Sequence, residues 1–134
     1  FHDAKHLFHG HSYAGNPIAC AAALASLELF DEEQTIVNAL SLGACIRRRL
    51  DPLREHSLVR HVRAVGTMVG IELHGERIEQ RDFPTPAWRV ATGLYRAGHF
   101  TRPIGDVIQL VPPLSAREDE IDDFFDAFER ELGP

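Results

Sequence analysis

The sequence predicts an α/β domain of two layers, in which helices cover a mostly antiparallel sheet. Two observations predict this class. Helical and strand-like patterns alternate along the 134 residues, in the order helix, helix, strand pair, helix, strand pair, helix. The composition, 44% hydrophobic and 25% charged, is typical of a globular domain that can bury a core.

Composition also narrows the classes of function. A net charge of -6 argues against a nucleic-acid surface, and the basic run Arg47-Arg48-Arg49 is expected to be a solvated helix face. No apolar run is long enough to cross a bilayer, and no signal peptide is recognised. Cys20 and Cys45 fit neither a disulfide framework nor a metal motif, so both are expected to be buried free thiols. We therefore expect a cytoplasmic protein without membrane or nucleic-acid partners.

The first helix is predicted over residues 16–30. Asn16 is a good N-cap. Pro17 suits the first helical position because an N–H at that position would make no intrahelical hydrogen bond, so its absence costs nothing. A helix N-terminus presents unpaired backbone N–H groups, which favour an anion in the preceding loop 10–15. Ser12 adds a hydroxyl donor to that loop. The junction therefore predicts an anion-binding loop.

The middle of the chain predicts a second helix followed by two strands. Residues 31–34 offer a capping-box start to a helix that continues to Pro52. The β-branched and apolar runs 58–65 and 67–73 then predict two strands with a bend at Gly66. In the second helix, the apolar residues expected to face the core are Ile36, Val37, Leu40, Ile46 and Leu50.

The remaining elements follow from turn and capping signals. After a polar loop at 75–82, a third helix is predicted from its cap Thr85 to Gly98. Short strands are expected at 99–102 and 107–111. A capping box at Ser115-Ala116-Arg117-Glu118 then opens an acidic amphipathic helix, with Ile121, Phe124, Phe125 and Phe128 facing the core.

The N-terminal residues do not predict a metal site. His2, His6 and His9 would share one helical face, but no cysteine or acidic residue completes a tetrahedral set at the usual spacing. A histidine-based metal domain is therefore the weakest alternative. Lys5, the only lysine, raises the question of Schiff-base chemistry, but we expect a solvated charge.

Two segments carry a resemblance to a known family. HGHSYAGNPIACAAALASLELF (residues 9–30) and TRPIGDVIQLVPPL (residues 101–114) resemble, in the same order, segments of the class III pyridoxal-phosphate-dependent aminotransferases. They are most like the biotin-pathway branch, which transfers an amino group from S-adenosylmethionine to 8-amino-7-oxononanoate. The similarity corresponds to about the last third of a family member. A C-terminal fragment of such an enzyme is therefore expected, which agrees with a first residue other than methionine.

The resemblance also implies a domain organisation. Residues 29–134 would be the small C-terminal α/β domain of a fold-type I aminotransferase. Residues 1–28 would be the end of the large cofactor-binding domain and the start of a connecting helix, and they should pack poorly alone. The family implies pyridoxal 5′-phosphate as cofactor, small-molecule substrates and a homodimer with its active site at the subunit interface.

Site residues are assigned by the same resemblance. Ser12 matches the hydroxyl residue that binds the cofactor phosphate across the dimer interface. His11 is assigned to the cofactor site and Gly10 to the substrate site, both as parts of the same loop. Arg102 matches the arginine that clamps the substrate carboxylate, a role suited to a planar bidentate donor. Because Lys5 does not match the family lysine that binds the cofactor, no catalytic residue is assigned, and the chain alone is expected to be inactive.

One departure leaves the substrate open. The biotin-pathway branch usually carries a tyrosine where this chain has Gln109. Another class III enzyme, such as an ω-amino acid:pyruvate or ornithine transaminase, is therefore an alternative. A hypothesis of another class is a non-catalytic interaction module, in which the loop and the alanine-rich helix serve to complete a dimer.

Overall fold

The computed structural model describes residues 9–75 and 85–133, in two compact units that divide between Gln34 and Thr35. His2, Lys5, His6 and most of the predicted polar loop lie outside the described residues. The elements are α1 (Pro17–Glu32), α2 (Thr35–Leu53), β1 (Val59–Val65), β2 (Met68–Leu73), α3 (Pro86–Arg96), β3 (Val107–Leu110) and α4 (Glu118–Leu132). The predicted α/β class is confirmed.

The first unit contributes a single described helix, α1. Its predicted start is confirmed, because the Asn16 side chain caps it and Pro17 occupies the first position. No residue of α1 is buried. Much of its length is alanine, whose small side chains give high helix propensity but little apolar area to bury.

The predicted capping box at residues 31–34 is wrong. Asp31 and Glu32 form the last turn of α1, and the Gln34 side chain donates to the carbonyl of Asp31 at 2.7 Å. Gln34 has a φ of 50°, in the left-handed region that interrupts a right-handed helix. These residues therefore end α1, and α2 begins after them at Thr35.

The second unit contains a three-stranded antiparallel sheet in the order β1-β2-β3. Strands β1 and β2 pair antiparallel on either side of the predicted bend at Gly66. The φ of Gly66 is 59°, a conformation that glycine adopts at little cost and other residues do not. Strand β3 pairs with β2, with Ile108 opposite Ile71. The strand predicted at residues 107–111 is therefore confirmed.

The strand expected at 99–102 does not form among the described residues. The chain there is irregular, and only an isolated bridge joins Ile104 to Val107. Pro103 lacks the N–H that a ladder needs. In place of a backbone ladder, the hydroxyl of Thr101 donates a hydrogen bond to the carbonyl of Gln109, a residue of β3.

Helix α4 packs against α2 and α3, while α2 packs against β1 and α3 packs against β2 and β3, so the predicted arrangement of helices over a sheet is confirmed. The core-facing residues predicted for α4 are all buried, with Phe125 and Phe128 fully so. In α2 the prediction is correct for Ile46 and Leu50 only. The apolar residues of its first turns, Ile36, Val37 and Leu40, are exposed.

The predicted start of α4 is two residues too early. The Asn38 side chain donates to the carbonyls of Leu114 and Ala116, at 2.7 and 3.0 Å. Those contacts hold the segment before the helix, so α4 begins after Arg117, whose backbone N–H donates to the carboxylate of Glu120 at 2.9 Å. The predicted capping box of Ser115 and Glu118 is therefore wrong, because the N-cap is Arg117 and the glutamate that accepts from its N–H is Glu120.

Arg49 does not belong to a solvated face. Its side chain is 22% exposed and pairs across to α4 with Asp122, Asp126 and Glu129. Burial alone would lower the pKa of Arg49, but the hydrogen bond to Asp126 and the nearby carboxylates raise that pKa above its ordinary value. The guanidinium therefore stays charged and links α2 to α4.

The two cysteines differ in environment. Cys45 is buried in the core, and burial, followed by the nearby Asp122 carboxylate, raises the pKa of its thiol. Cys20 is exposed, so the prediction of two buried thiols is wrong for the first of them. The reason is that α1 buries no residue at all.

None of the helices in the described part of the chain is long and apolar enough to cross a membrane. Across residues 9–75 and 85–133, no cluster of three or more histidine, cysteine, aspartate or glutamate side chains is arranged to hold a metal ion.

Candidate functional site

The loop before α1 is built from short-range hydrogen bonds. The Ala14 N–H donates to the carbonyl of His11 at 2.9 Å, and the Asn16 N–H donates to that of Tyr13 at 3.1 Å. The Tyr13 N–H donates to Nδ1 of the His11 ring at 3.2 Å. Gly15, with a φ of 76°, turns the chain into the helix. The loop conformation is therefore fixed by its own residues.

The cap of α1 uses the backbone donors that were expected to bind an anion. Asn16 Oδ1 accepts from the N–H groups of Ile18 and Ala19, at 3.0 and 3.2 Å. Pro17 has no N–H, and the N–H of Cys20 makes the first intrahelical bond to the Asn16 carbonyl at 2.9 Å. The N–H groups of Ile18 and Ala19 are therefore paired, whereas the sequence indicated unpaired ones. Anion binding by the loop stays a prediction, to which the positive end of the helix dipole still contributes.

The remaining donors of the loop are side chains. Ser12 is exposed, and its hydroxyl makes no hydrogen bond to any other residue that the structure describes. Since Nδ1 of His11 accepts a hydrogen bond, the neutral ring carries its proton on Nε2, which is a second donor. Hydroxyl and imidazole donors at the positive end of a helix suit phosphate oxygens, so these residues fit the phosphate of a cofactor.

Gly10 is exposed and has open space around it. A Cβ built at Gly10 meets no atom of the described residues within 4 Å, and its φ lies outside the left-handed region. Neither space nor backbone conformation in the described part of the chain therefore requires a glycine at this position. Gly15 is the glycine that the loop conformation requires.

Arg102 lies in the second unit, on the segment between α3 and β3. Its side chain is exposed, and no carboxylate of residues 9–75 and 85–133 pairs with it. The next residue, Pro103, is buried. An exposed arginine without an internal ion pair can bind an external carboxylate with two parallel hydrogen bonds.

A tight turn supports Arg102 on its C-terminal side. The N–H and carbonyl groups of Ile104 and Val107 exchange two backbone hydrogen bonds of 2.9 and 3.0 Å. Gly105, between them, has a φ of 57°. The hydroxyl of Thr85, the cap of α3, donates to the Gly105 carbonyl at 3.4 Å. Gly105 therefore occupies a left-handed position of the turn, which glycine adopts at little cost.

A groove of about 480 Å³ adjoins this segment. Its lining includes Phe100 and Gln109, which flank the Arg102 turn, and Pro112 and Pro113, which follow β3. Its size is in the range of small-molecule sites. Arg102 itself is not among the residues that line this groove. A second cavity of about 650 Å³, lined in part by Arg89, was not predicted from the sequence. Gly10, His11 and Ser12 thus share one loop of the first unit, and Arg102 lies in the second.

Comparison with known proteins identifies the family. The aminotransferase class III family matches residues 2–132. The chain therefore belongs to the class III aminotransferases. It is 44% identical over 124 residues to the adenosylmethionine-8-amino-7-oxononanoate aminotransferase of Methanocaldococcus jannaschii and 40% identical to that of Aquifex aeolicus. In both cases the match covers 90% of this chain and 27% of the relative, so the chain spans about a quarter of their length.

Other aminotransferases match at similar identity. The mitochondrial ornithine aminotransferase of Rattus norvegicus is 39% identical over 114 residues, which cover 84% of this chain and 24% of that protein. Class III aminotransferases in general depend on pyridoxal phosphate. The family assignment therefore does not separate the biotin-pathway substrate from other amino acceptors.

Solved structures agree with the fold. The Methanocaldococcus jannaschii enzyme superposes with a TM-score of 0.71 at 40% identity, covering 96% of this chain and 31% of that one. An amine transaminase from an uncultivated Pseudomonas species, solved in its PLP-bound form, superposes at 0.79 with 38% identity, covering 94% of this chain and 29% of that one. The α/β fold of this part of an aminotransferase is therefore shown.

Proposed function

We propose that this chain is the C-terminal part of an enzyme that transfers an amino group from S-adenosylmethionine to 8-amino-7-oxononanoate in biotin biosynthesis. The observation that carries the proposal is the 44% identity, over 90% of the chain, to a relative whose name states that reaction. Arg102 supports it, because an exposed guanidinium that pairs with no carboxylate of the described residues suits an acceptor that ends in a carboxylate.

In the proposed enzyme, each unit of this chain supplies one anchor. Ser12 and His11 donate hydrogen bonds to the cofactor phosphate, and Gly10 borders the substrate in the same loop. Arg102 holds the distant carboxylate of the acceptor and so orients its reacting end. Pyridoxal phosphate, when bound, supplies the electron sink that amino transfer requires. The chain's residues bind and orient, and the catalytic lysine belongs to the upstream part of the parent enzyme.

The proposed domain organisation places residues 1–28 in the large cofactor-binding domain and the connecting helix, and 29–134 in the small domain. The support is that α1 buries none of its residues, although Ile18, Leu24 and Leu27 are large and apolar. Such a helix is expected to be covered by other parts of the parent enzyme or by the second subunit of a homodimer.

Substrate assays of the full-length parent test this proposal. The specificity constant should be highest for S-adenosylmethionine as donor with 8-amino-7-oxononanoate as acceptor. A preference for ornithine or another ω-amino acid as donor would contradict the proposal. That result would favour the alternative of another class III aminotransferase, which is supported by Gln109 and by the similarity to the rat ornithine aminotransferase.

The 134-residue chain alone should show no amino transfer. Its only lysine is Lys5, which does not match the family lysine. Borohydride treatment in the presence of pyridoxal phosphate should therefore leave Lys5 without stoichiometric labelling. Stoichiometric labelling of Lys5 together with turnover would contradict the assignment of the catalytic lysine to the upstream part.

A further inference from the structure

The segment that carries Arg102 has few hydrogen bonds of its own. Its last backbone bond on the N-terminal side is from the His99 N–H to the Leu94 carbonyl, at 2.8 Å. The next backbone bond begins at Ile104. Between these two points, and among the residues that the structure describes, a single hydrogen bond holds the chain: the Thr101 hydroxyl donates to the carbonyl of Gln109.

The two sides of Arg102 therefore differ in support. On the C-terminal side, Pro103 is buried, has a restricted φ, and leads into the turn closed by Ile104 and Val107. On the N-terminal side, Phe100 is 84% exposed. Without the Thr101 hydroxyl, no hydrogen bond of the described residues would hold the backbone between His99 and Ile104.

We propose that Thr101 is a positioning residue, whose hydroxyl holds the backbone of Arg102 against β3 and so prepares the guanidinium to bind the acceptor carboxylate. The inference rests on the carboxylate-binding role proposed for Arg102. Thr101 acts through its neighbour, because its hydroxyl is already donated to the Gln109 carbonyl. Ordering a loose segment at the moment of binding lowers affinity, and a segment that is ordered beforehand avoids that loss.

A different role for the same bond is general stabilisation of the second unit. The two roles make different predictions for a double-mutant cycle. A positioning residue matters only while Arg102 is present, so its removal should have no further effect on acceptor binding once the guanidinium is gone. A general stabiliser changes binding by the same factor in either background.

The test uses the full-length holoenzyme and isothermal calorimetry with 8-amino-7-oxononanoate. Thr101→Val removes the hydroxyl while keeping the shape, and the dissociation constant should rise between about twofold and tenfold, as expected for one neutral hydrogen bond. Thr101→Ser keeps the hydroxyl and should bind within about twofold of the parent. In the Arg102→Ala background, Thr101→Val should cause no further change.

Thr92→Val is the matched control. The Thr92 hydroxyl also donates to a backbone carbonyl, that of Trp88, at 2.8 Å, but it lies within α3. Acceptor binding should not change in this variant, and the melting temperatures of the Thr92 and Thr101 variants should be similar. The half-reaction with S-adenosylmethionine should also be unchanged by Thr101→Val.

The outcomes separate the two claims. If Arg102→Ala weakens acceptor binding and Thr101→Val does not, the positioning role of Thr101 is wrong and the proposed function stands. An equal loss from Thr101→Val with and without the guanidinium would also overturn the positioning role. If Arg102→Ala itself leaves binding unchanged, the carboxylate-binding role fails, and the role of Thr101 fails with it.

Discussion

The loop that carries Ser12 and the segment that carries Arg102 each present one exposed polar side chain, but the structure supports them in different ways. The loop is held by hydrogen bonds between residues no more than three positions apart, and the helix that follows it buries no residue. Arg102 lies immediately before a buried proline and the turn that leads into strand β3, in a unit with a core of its own.

This difference indicates how each anchor depends on the parent enzyme. The second unit can hold Arg102 in place with contacts made inside this chain. The loop around Ser12 has a defined local shape, but the large apolar side chains of α1 are exposed in the described part of the chain. We therefore expect the carboxylate anchor to be preformed in the isolated chain and the phosphate anchor to depend on surfaces that other parts of the enzyme supply.

The largest expected difference between the two regions is in stability. Phe125→Ala deletes a fully buried ring and should lower the free energy of unfolding of the second unit by about 3–5 kcal/mol. Leu24 lies on α1 and its side chain is 61% exposed, so Leu24→Ala should change this free energy of unfolding by less than about 0.5 kcal/mol.

Urea unfolding of the 134-residue chain measures both variants. The single tryptophan, Trp88, lies in α3 and reports on the second unit. Equal losses from Phe125→Ala and Leu24→Ala would contradict the contrast between a unit with a core and a helix without one.

Thiol reactivity compares the two regions within one molecule. Cys20 is exposed on α1, whereas Cys45 is buried and has a pKa that burial raises, so less of it is thiolate at a given pH. In the isolated chain Cys20 should react with a thiol reagent at least about a hundredfold faster than Cys45. Mass spectrometry of the labelled chain measures the two rates, which should become similar in denaturant. Similar rates in the folded chain would show that the core of the second unit is not closed around Cys45.

A smaller effect is expected at the cofactor anchor. Ser12→Ala in the full-length parent removes one hydrogen bond to a charged phosphate, which is worth about 1.5–3 kcal/mol. The dissociation constant of pyridoxal phosphate should then rise by about ten- to a hundredfold. Dialysis followed by reconstitution measures that constant. Ser26→Ala, which removes an exposed serine hydroxyl from α1 itself, is the matched control and should leave it unchanged.

Most elements of the fold could be predicted from local sequence. The caps Asn16 and Thr85 and the glycine bend at Gly66 are short-range signals, and the structure confirms them. The start of α4 could not be predicted in this way. It depends on Asn38, whose side chain reaches carbonyls 76 and 78 positions further along the chain.

The environment of the candidate site was less predictable than the fold. Ser12 and Arg102 were assigned by resemblance to a family, and their roles remain predictions. The helix start was expected to offer free N–H groups, but the same Asn16 side chain that predicts the helix also uses two of them. The Thr101 hydrogen bond was not foreseen, because residues 99–102 were predicted to be a strand held by backbone bonds.

The central claim is that Arg102 binds the carboxylate of the amino acceptor, and single-turnover kinetics of Arg102→Lys in the full-length parent test it most directly. Lysine keeps the charge but lacks the planar pair of donors. Disrupting the paired hydrogen bonds of an interface charge pair is expected to cost at least about 2 kcal/mol, so the specificity constant for 8-amino-7-oxononanoate should fall at least about thirtyfold. The half-reaction with S-adenosylmethionine should lose much less. Equal losses in both half-reactions, or no loss in either, would contradict the carboxylate-binding role.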